Sequence, residues 1–138
     1  MSKKVIILRS VSGAGKTTFA DYLSGLNPDS IIASSDDYFT EKYNGEYRWN
    51  AREMGAAHGY CRNKFVQALE NNVSLVIVSN TNTKLSEFKF YLDEAAKYGY
   101  SVSSIILENR HGNSNVHNVP EEALNRKENN IRNSLKLR

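Results

Sequence analysis

Residues that cross-link a chain or hold a metal ion are scarce in this 138-residue sequence, which has one cysteine and three histidines. Because Cys61 has no partner for an internal disulfide, the sequence favours a reducing compartment, and we expect a cytoplasmic protein. One cysteine and scattered histidines also exclude a zinc site of the usual composition. Stability must then come from an apolar core, which a chain of this length can bury without cross-links.

Long apolar runs are missing as well. No segment reaches the roughly 18 consecutive apolar residues of a membrane-spanning helix, so we expect no membrane association. The first apolar run stops at Arg9 and leads into a glycine-rich segment, which predicts a strand and not a signal peptide. The formal net charge is only +3, which suits an anionic substrate but does not by itself indicate nucleic-acid binding. The length predicts one domain that spans residues 1–138.

The sequence does contain short apolar runs that alternate with helical patterns. The runs predict four strands buried on both faces, as in parallel sheets, at residues 5–8, 31–33, 75–78 and 102–107. A helix is predicted over residues 17–26. Two later helices show apolar stripes that comprise Ala57, Cys61, Phe65, Ala68 and Leu69, and then Leu85, Phe88, Leu92, Ala95 and Ala96. This order predicts an α/β domain with an open, four-stranded, largely parallel sheet and helices on both faces.

Two polar segments interrupt this alternation. Residues 36–50 follow the second predicted strand, and residues 109–119 follow the fourth. Open α/β sheets bind their ligands at the carboxyl ends of strands, so both segments are predicted to be functional loops. Gly99 is predicted to end the helix before the fourth strand, and a last helix is predicted to begin at Pro120.

The strongest motif lies in residues 10–18. It matches G-x-x-x-x-G-K-[ST], except that Ser10 stands at the first glycine position. Because the segment follows a predicted strand and precedes a predicted helix, it predicts a phosphate loop whose N–H groups surround phosphate oxygens. The predicted nucleotide-binding residues are Ser12, Gly13, Ala14, Gly15, Lys16, Thr17 and Thr18.

Two side chains of this loop supply chemistry. Lys16 can reach the β and γ phosphates of a nucleoside triphosphate, and the Thr17 hydroxyl can bind Mg²⁺. The alternative interpretation is a glycine turn that precedes a helix by chance.

A pair of carboxylates, Asp36 and Asp37, follows the second predicted strand, on the same edge of the sheet as the phosphate loop. Asp36 can accept the proton of an acceptor hydroxyl and can help to hold Mg²⁺ through water, and Asp37 is predicted to contact the acceptor. The alternative is that the pair caps a turn or a helix, as aspartates often do.

These motifs carry a family resemblance. The sequence resembles the polynucleotide 5′-hydroxyl kinases of the P-loop superfamily, in the phage-type branch, and is closer still to related kinase-like domains with an Asp-Asp-Tyr-Phe motif. The matching segments run nearly end to end, at residues 13–18, 35–39, 45–49, 57–61, 76–83 and 115–120.

The resemblance implies a P-loop kinase fold with a lid at about residues 109–119 and a C-terminal helix. It implies ATP and Mg²⁺ as cofactors and transfer of the γ phosphate to the 5′-hydroxyl of DNA or RNA. By this resemblance Lys16 and Thr17 bind the phosphates and the metal, and Asp36 is the general base. Asn80 lies near the acceptor.

The sequence departs from that family at two positions. Phe39 replaces an arginine that contacts the acceptor phosphate in the phage enzymes, and Ser114 replaces an arginine of the lid. Arg110 and Arg126 are the candidates to contact the nucleotide in its place. Without such an arginine, transfer would be slower by a factor of about 10³–10⁵ in related chemistry.

Further acceptor contacts are predicted in two places. Tyr47, Arg48 and Trp49 form an aromatic-basic cluster that can stack on a base and pair with a phosphate. Alternatively, the aromatic rings attach this loop to the core. His58 is either an acceptor contact or a histidine of the core, since it falls in the patterned helix.

Three functions therefore remain open. The first is a kinase for the 5′-hydroxyl of a polynucleotide, and the second is a kinase for a nucleoside, a nucleotide or another small molecule. The third is an ATP-binding module with weakened catalysis, which the loss of the lid arginine and of a carboxylate after the third strand would explain. The sequence does not predict the oligomeric state.

Overall fold

The computed structural model describes residues 3–11, 15–42, 44–45, 50–107, 126 and 129–131. Strands β1 to β4 span Lys4–Arg9, Ser30–Ala33, Leu75–Ser79 and Ser101–Ile106. Helices α1 to α4 span Lys16–Leu26, Asp36–Lys42, Met54–Glu70 and Leu85–Lys97, and a short 3-10 helix at Ala51–Glu53 leads into α3. Within these residues, no helix has the length and apolar character required to span a membrane.

The four strands form one parallel sheet in the order β2-β3-β1-β4. Val5 of β1 lies opposite Val76 of β3 and opposite Val102 of β4. The chain leaves β1 towards β2 on one side and leaves β3 towards β4 on the other, so the connections that follow these two neighbouring strands run in opposite directions at their carboxyl ends. A crevice opens at such a point, where α/β sheets bind ligands. The predicted four-stranded parallel α/β fold is confirmed.

Alternate residues of the central strands face opposite sides of the sheet. Val5 and Ile7 pack in one apolar cluster, and Ile6 and Leu8 pack in another. Both strands are buried on both faces, which explains why their sequences are continuously apolar.

Helices cover both faces, as predicted. The first cluster joins β1 and β3 to the inner stripes of α3 and α4; the buried helix residues are Cys61, Phe65, Ala68, Leu69, Phe88, Tyr91 and Ala95. The second cluster joins the other face to α1 through Ala20, with Phe19 and Leu23 packed against it.

The stripe predicted for α4 is wrong at two positions. Leu85 is 55% exposed, and Ala96 is exposed as well. The buried residues of α4 are Phe88, Tyr91 and Ala95. Tyr91 is thus fully buried where the pattern predicted Leu92, which is only partly buried. Gly99 has a φ of 75°, a left-handed conformation that glycine adopts without strain, and it ends α4 as predicted.

The loop predicted over residues 36–50 is also wrong in its first half, because Asp36–Lys42 forms α2. Asp36 and Asp37 lie in the first turn and Lys42 in the last, which suits the helix dipole at both ends. Phe39 is completely buried and anchors the helix. Only seven residues long, α2 shows too little periodicity to be recognised in the sequence.

Candidate functional site

The phosphate loop begins where β1 ends and leads into α1. Gly15, the residue before α1, has a φ of 87°, so a side chain there would be strained. The first turn of α1 has no acidic residue and instead begins with Lys16. A cation at the positive end of a helix dipole is unfavourable by itself, and a bound anion offsets it. These features fit a phosphate group; Ser12, Gly13 and Ala14 lie outside the described residues.

Hydrogen bonds fix the base of this loop to the loop that follows β3. The Ser10 N–H donates to the Thr81 carbonyl at 2.9 Å. Arg9, which is buried, donates from Nε to the Asn82 carbonyl at 2.8 Å and from Nη2 to the Thr83 carbonyl at 3.2 Å. The two loops at the crevice between β1 and β3 are therefore held as one unit.

Arg9 also lies over the ring of Phe88, with 4.6 Å between its guanidinium carbon and the ring centroid. Burial lowers the pKa of Arg9, and the nearby Glu87 carboxylate opposes that shift. Glu87 in turn accepts from the Thr83 N–H at 2.7 Å and from its hydroxyl at 3.0 Å. Sequence reasoning missed this network, although the polar run that follows β3 was a sign that the loop carries structure.

A cavity of about 520 Å³ lies at the carboxyl ends of β2 and β3. Thr17 and Asp36, which the sequence assigned to the nucleotide and to the acceptor, both line it. The other lining residues are Ala20, Asp21, Ser24, Ile31, Ile32, Ser34, Asp37, Thr40, Lys64 and Ser79. The volume falls in the range of small-molecule sites, which is about 300–1,000 Å³.

Asp36 is the first residue of α2, and its N–H donates to the Ser34 hydroxyl at 3.3 Å. Asp37 also lines the cavity, and its carboxylate lies 3.7 Å from Nζ of Lys64. Burial raises the pKa of Asp37, and the positive charge of Lys64 opposes that shift. The two aspartates therefore lie in the first turn of a helix, as the alternative interpretation expected, and they also line the cavity.

Contacts with the following helix brace α2. The Tyr38 hydroxyl donates to Glu53 Oε1 at 3.3 Å, and Lys42 forms an ion pair with Glu53. The ring of Tyr38 packs edge-on against Tyr60, with 6.1 Å between ring centroids. These contacts fix α2 against the start of α3 and so fix the wall of the cavity that carries Asp36.

Asn80 follows the last residue of β3. Its Oδ1 accepts from the Ser35 N–H at 2.9 Å and from the Ser35 hydroxyl at 3.0 Å. Its Nδ2 donates to Sγ of Cys61 at 3.5 Å. Asn80 therefore contacts Ser35, the residue that precedes Asp36. Both ends of its amide form hydrogen bonds within the protein.

Other predicted site residues lie elsewhere or are not described. His58 is exposed on α3, so the interpretation of a core histidine is wrong; the buried stripe runs through Ala57 and Cys61 instead. Arg126 is exposed. The remaining candidates, Tyr47, Arg48, Trp49 and Arg110, lie outside the described residues, as do the proposed lid and the start of the last helix.

Lys64 is the cavity residue that sequence reasoning missed most clearly. It lies on α3 next to Phe65, at the margin of the buried stripe, and its side chain is 34% exposed. A lysine beside an apolar stripe is usually a solvated residue, so the spacing alone gave no reason to select it.

The donor set suits a magnesium ion shared with a nucleotide. Among the described residues, no cluster of three or more His, Cys, Asp or Glu side chains could hold a metal ion alone. Mg²⁺ normally keeps several waters and is held by one or two protein oxygens together with substrate phosphates. Thr17 and Asp36, which line one cavity, provide oxygens of this kind.

A parallel sheet in this order, with a glycine and a lysine at the start of the helix after β1, defines the P-loop kinase class of α/β domain. Residues 5–130 match the AAA domain family, so the chain belongs to that family. It is 36% identical to human NEDD4-binding protein 2 over an alignment of 98 residues, which covers 71% of this chain. The aligned segment is only 5% of the length of that relative.

Solved structures share the fold at low sequence identity. One chain of the Pnkp1/Rnl/Hen1 RNA repair complex superposes with a TM-score of 0.76 and 17% identity, over 96% of this chain and 45% of that one. The APS kinase CysC of Mycobacterium tuberculosis, in complex with AMPPNP and APS, superposes with a TM-score of 0.53 and 11% identity, over 92% of this chain and 69% of that one. These similarities confirm the P-loop kinase fold.

Proposed function

We propose that the protein transfers the γ phosphate of ATP to the 5′-hydroxyl of a polynucleotide, with Asp36 as the general base. One observation carries this proposal. Thr17, at the start of α1, and Asp36, at the start of α2, line the same cavity. A hydroxyl that can bind Mg²⁺ beside the phosphates and a carboxylate that can accept a proton therefore line a common space, and this arrangement supports phosphoryl transfer.

The donor end of the site is formed by the start of α1. Amide groups at this helix terminus and the ammonium of Lys16 bind the phosphates of ATP, as the left-handed Gly15 and the absence of an acidic residue in the first turn favour. The Thr17 hydroxyl and, through water, Asp36 would hold Mg²⁺, which would neutralise charge on the phosphates.

The reaction then needs one proton transfer. The acceptor oxygen attacks the γ phosphorus and forms a new O–P bond, while the bond from that phosphorus to the β–γ bridging oxygen breaks and ADP leaves. The Asp36 carboxylate takes the proton of the acceptor hydroxyl. Lys16 remains close to the phosphates throughout and stabilises the charge on the transferring group.

The acceptor end of the site contains a basic group. Lys64 lines the cavity and forms an ion pair with Asp37 at 3.7 Å. Its ammonium carries three donors on a flexible stem, so it can contact a phosphate of the acceptor as well as Asp37. The similarity in fold to a chain of an RNA repair complex supports a nucleic acid as the acceptor.

A kinase for a small molecule is the second candidate. The volume of the cavity, about 520 Å³, is sufficient for a nucleoside. The lining has three aspartates and one lysine, which favours an acceptor with little negative charge of its own. The similarity in fold to APS kinase agrees with this candidate.

A transfer assay separates the candidates. ATP labelled in the γ phosphate would be offered, with Mg²⁺, to 5′-hydroxyl DNA and RNA oligonucleotides and to a panel of nucleosides and nucleotides at equal concentration. Label at the 5′ end of an oligonucleotide, with kcat/KM above that for every mononucleoside, supports the proposal.

Label on nucleosides alone would assign the protein to the second candidate. Binding of an ATP analogue without transfer to any hydroxyl would contradict both kinase proposals. The matched pair of oligonucleotides with a 5′-hydroxyl and a 5′-phosphate shows whether the label enters by transfer to the hydroxyl.

A further inference from the structure

We propose that Asn80 is a positioning residue that acts through Ser35 to hold Asp36 at the wall of the cavity. The inference rests on the proposed function of Asp36 as a general base. It gives Asn80 a role different from the acceptor contact that the sequence suggests.

The first step is the geometry of the Asn80 side chain. One atom, Oδ1, receives both hydrogen bonds that Ser35 can donate, at 2.9 Å from the backbone nitrogen and 3.0 Å from the hydroxyl. Because a backbone N–H can only donate, the atom that faces Ser35 must be the amide oxygen and not the nitrogen. The two bonds join loops that are 45 residues apart in the chain.

The second step is the position of Ser35. It directly precedes α2, and its carbonyl accepts the N–H of Tyr38 at 3.2 Å, in the first turn of that helix. A residue held at its N–H, its hydroxyl and its carbonyl has little freedom left. The backbone at the start of α2 is therefore fixed, and with it the position of the neighbouring Asp36 at the wall of the cavity.

The third step is the support behind Asn80. Its Nδ2 donates to Sγ of Cys61 at 3.5 Å, and the Tyr91 hydroxyl donates to the same sulfur at 3.2 Å. Cys61 and Tyr91 are both buried, and burial raises the pKa of each, so the thiol and the hydroxyl stay neutral. The chain of contacts from Tyr91 through Cys61 and Asn80 to Ser35 thus orients the amide from the core outwards.

The amide of Asn80 matches the groups on both of its sides. An aspartate at position 80 could accept from Ser35, but its second oxygen would face the buried sulfur of Cys61, which offers only a weak S–H donor. It would also add a negative charge next to Ser35, the residue that precedes Asp36. The neutral amide of Asn80 accepts hydrogen bonds from Ser35 through its oxygen and donates one to the Cys61 sulfur through its nitrogen.

The test compares Asn80→Ala with the parent and with Asn63→Ala, an exposed asparagine of α3 that serves as the matched control. Four quantities are measured: kcat and KM for transfer, affinity for a non-hydrolysable ATP analogue, and hydrogen exchange of the Ser35 amide by NMR. In Asn80→Ala we expect kcat to fall about 10- to 100-fold, because small displacements of a reacting group have large effects on rate.

A positioning role predicts a specific pattern in the other quantities. The acceptor KM and the affinity for the ATP analogue stay close to those of the parent, and the Ser35 amide exchanges faster. In an Asp36→Asn background, Asn80→Ala causes no further loss of transfer, because the two residues act through one step. Cys61→Ser, which keeps an acceptor atom for Asn80, retains more activity than Cys61→Ala.

If Asn80→Ala does not fold, Ser35→Ala provides the same test, because it removes only the hydroxyl contact and leaves the backbone contact in place. An unchanged kcat or an unchanged Ser35 exchange rate in an active protein overturns the inference, and so does an equal loss in the Asp36→Asn background. A parent protein that transfers no phosphate to any hydroxyl instead overturns the proposed function itself.

Discussion

The two ends of the cavity are built in different ways. The nucleotide end consists of a helix terminus, with Gly15 and Lys16 adjacent in the sequence. The proposed acceptor end depends on contacts between distant parts of the chain, since Asn80 holds Ser35 beside Asp36 and Lys64 of α3 pairs with Asp37. The groups of the nucleotide end are therefore adjacent in the sequence, whereas those of the acceptor end meet only when distant elements pack.

The largest effect is expected from the anchor of the acceptor end. Phe39 is completely buried beneath α2, so Phe39→Ala should lower the free energy of unfolding by about 3–5 kcal/mol. Phe19, which is only partly buried on α1, should cost less when it is replaced by alanine. Urea denaturation measures both; a larger loss for Phe19→Ala would contradict the proposed difference between the two ends.

Removal of the phosphate-binding charge should have the next largest effect. In Lys16→Ala we expect transfer to fall about 10²- to 10³-fold, with weaker binding of the ATP analogue, because a charge aimed at the transferring group is lost. Lys89→Ala, which breaks an exposed ion pair with Asp93 on α4, is the control. Equal activity in the two variants would exclude Lys16 from the site.

A smaller effect is expected at Lys64. Lys64→Ala should raise KM for an oligonucleotide acceptor about tenfold and leave the affinity for the ATP analogue unchanged, because the ammonium lies at the acceptor end. Lys97→Ala, which removes an exposed ammonium that pairs with Glu94 on α4, is the control. A weaker affinity for the ATP analogue in Lys64→Ala would assign the residue to the nucleotide end instead.

The smallest effect concerns pH. Burial raises the pKa of Asp37 above its ordinary value of 3.8, so this group ionises less readily in the folded protein than in the unfolded chain. As pH rises from 3.8 through the higher folded pKa, the parent should lose stability relative to Asp37→Asn, and below 3.8 the difference between the two proteins should no longer change with pH. Thermal unfolding across this range, with Asp93→Asn as control, measures it; a parent that gains stability as pH rises would contradict the shift.

The sheet and the strand-to-helix connection that carries the phosphate-loop motif could be predicted because their signals are local. Strands buried on both faces appear as continuous apolar runs, and a phosphate loop has a fixed spacing of glycine and lysine between a strand and a helix. The four predicted strands overlap β1 to β4, and α1 begins within one residue of its predicted start. Burial on both faces was predicted for all four strands and is wrong for the edge strands β2 and β4, which are only partly buried.

The acceptor end could not be predicted to the same depth. Residues 36–42 form a helix because their charges suit its ends and Phe39 is buried, and a single apolar anchor gives no periodic pattern. The contact of Ser35 with Asn80 and the place of Lys64 in the cavity both depend on how distant elements pack. His58 shows the converse error, since a position in a patterned helix does not place a side chain on its buried face.

The most direct measurement is γ-phosphate transfer by Asp36→Asn, with Asp93→Asn as the matched control. If the Asp36 carboxylate is the base that faces the phosphate site across the cavity, transfer should fall about 10²- to 10⁴-fold, with affinity for the ATP analogue retained. Asp93→Asn should match the parent in both quantities. Transfer by Asp36→Asn at the rate of the parent would contradict the central claim, because no proton would then pass to Asp36.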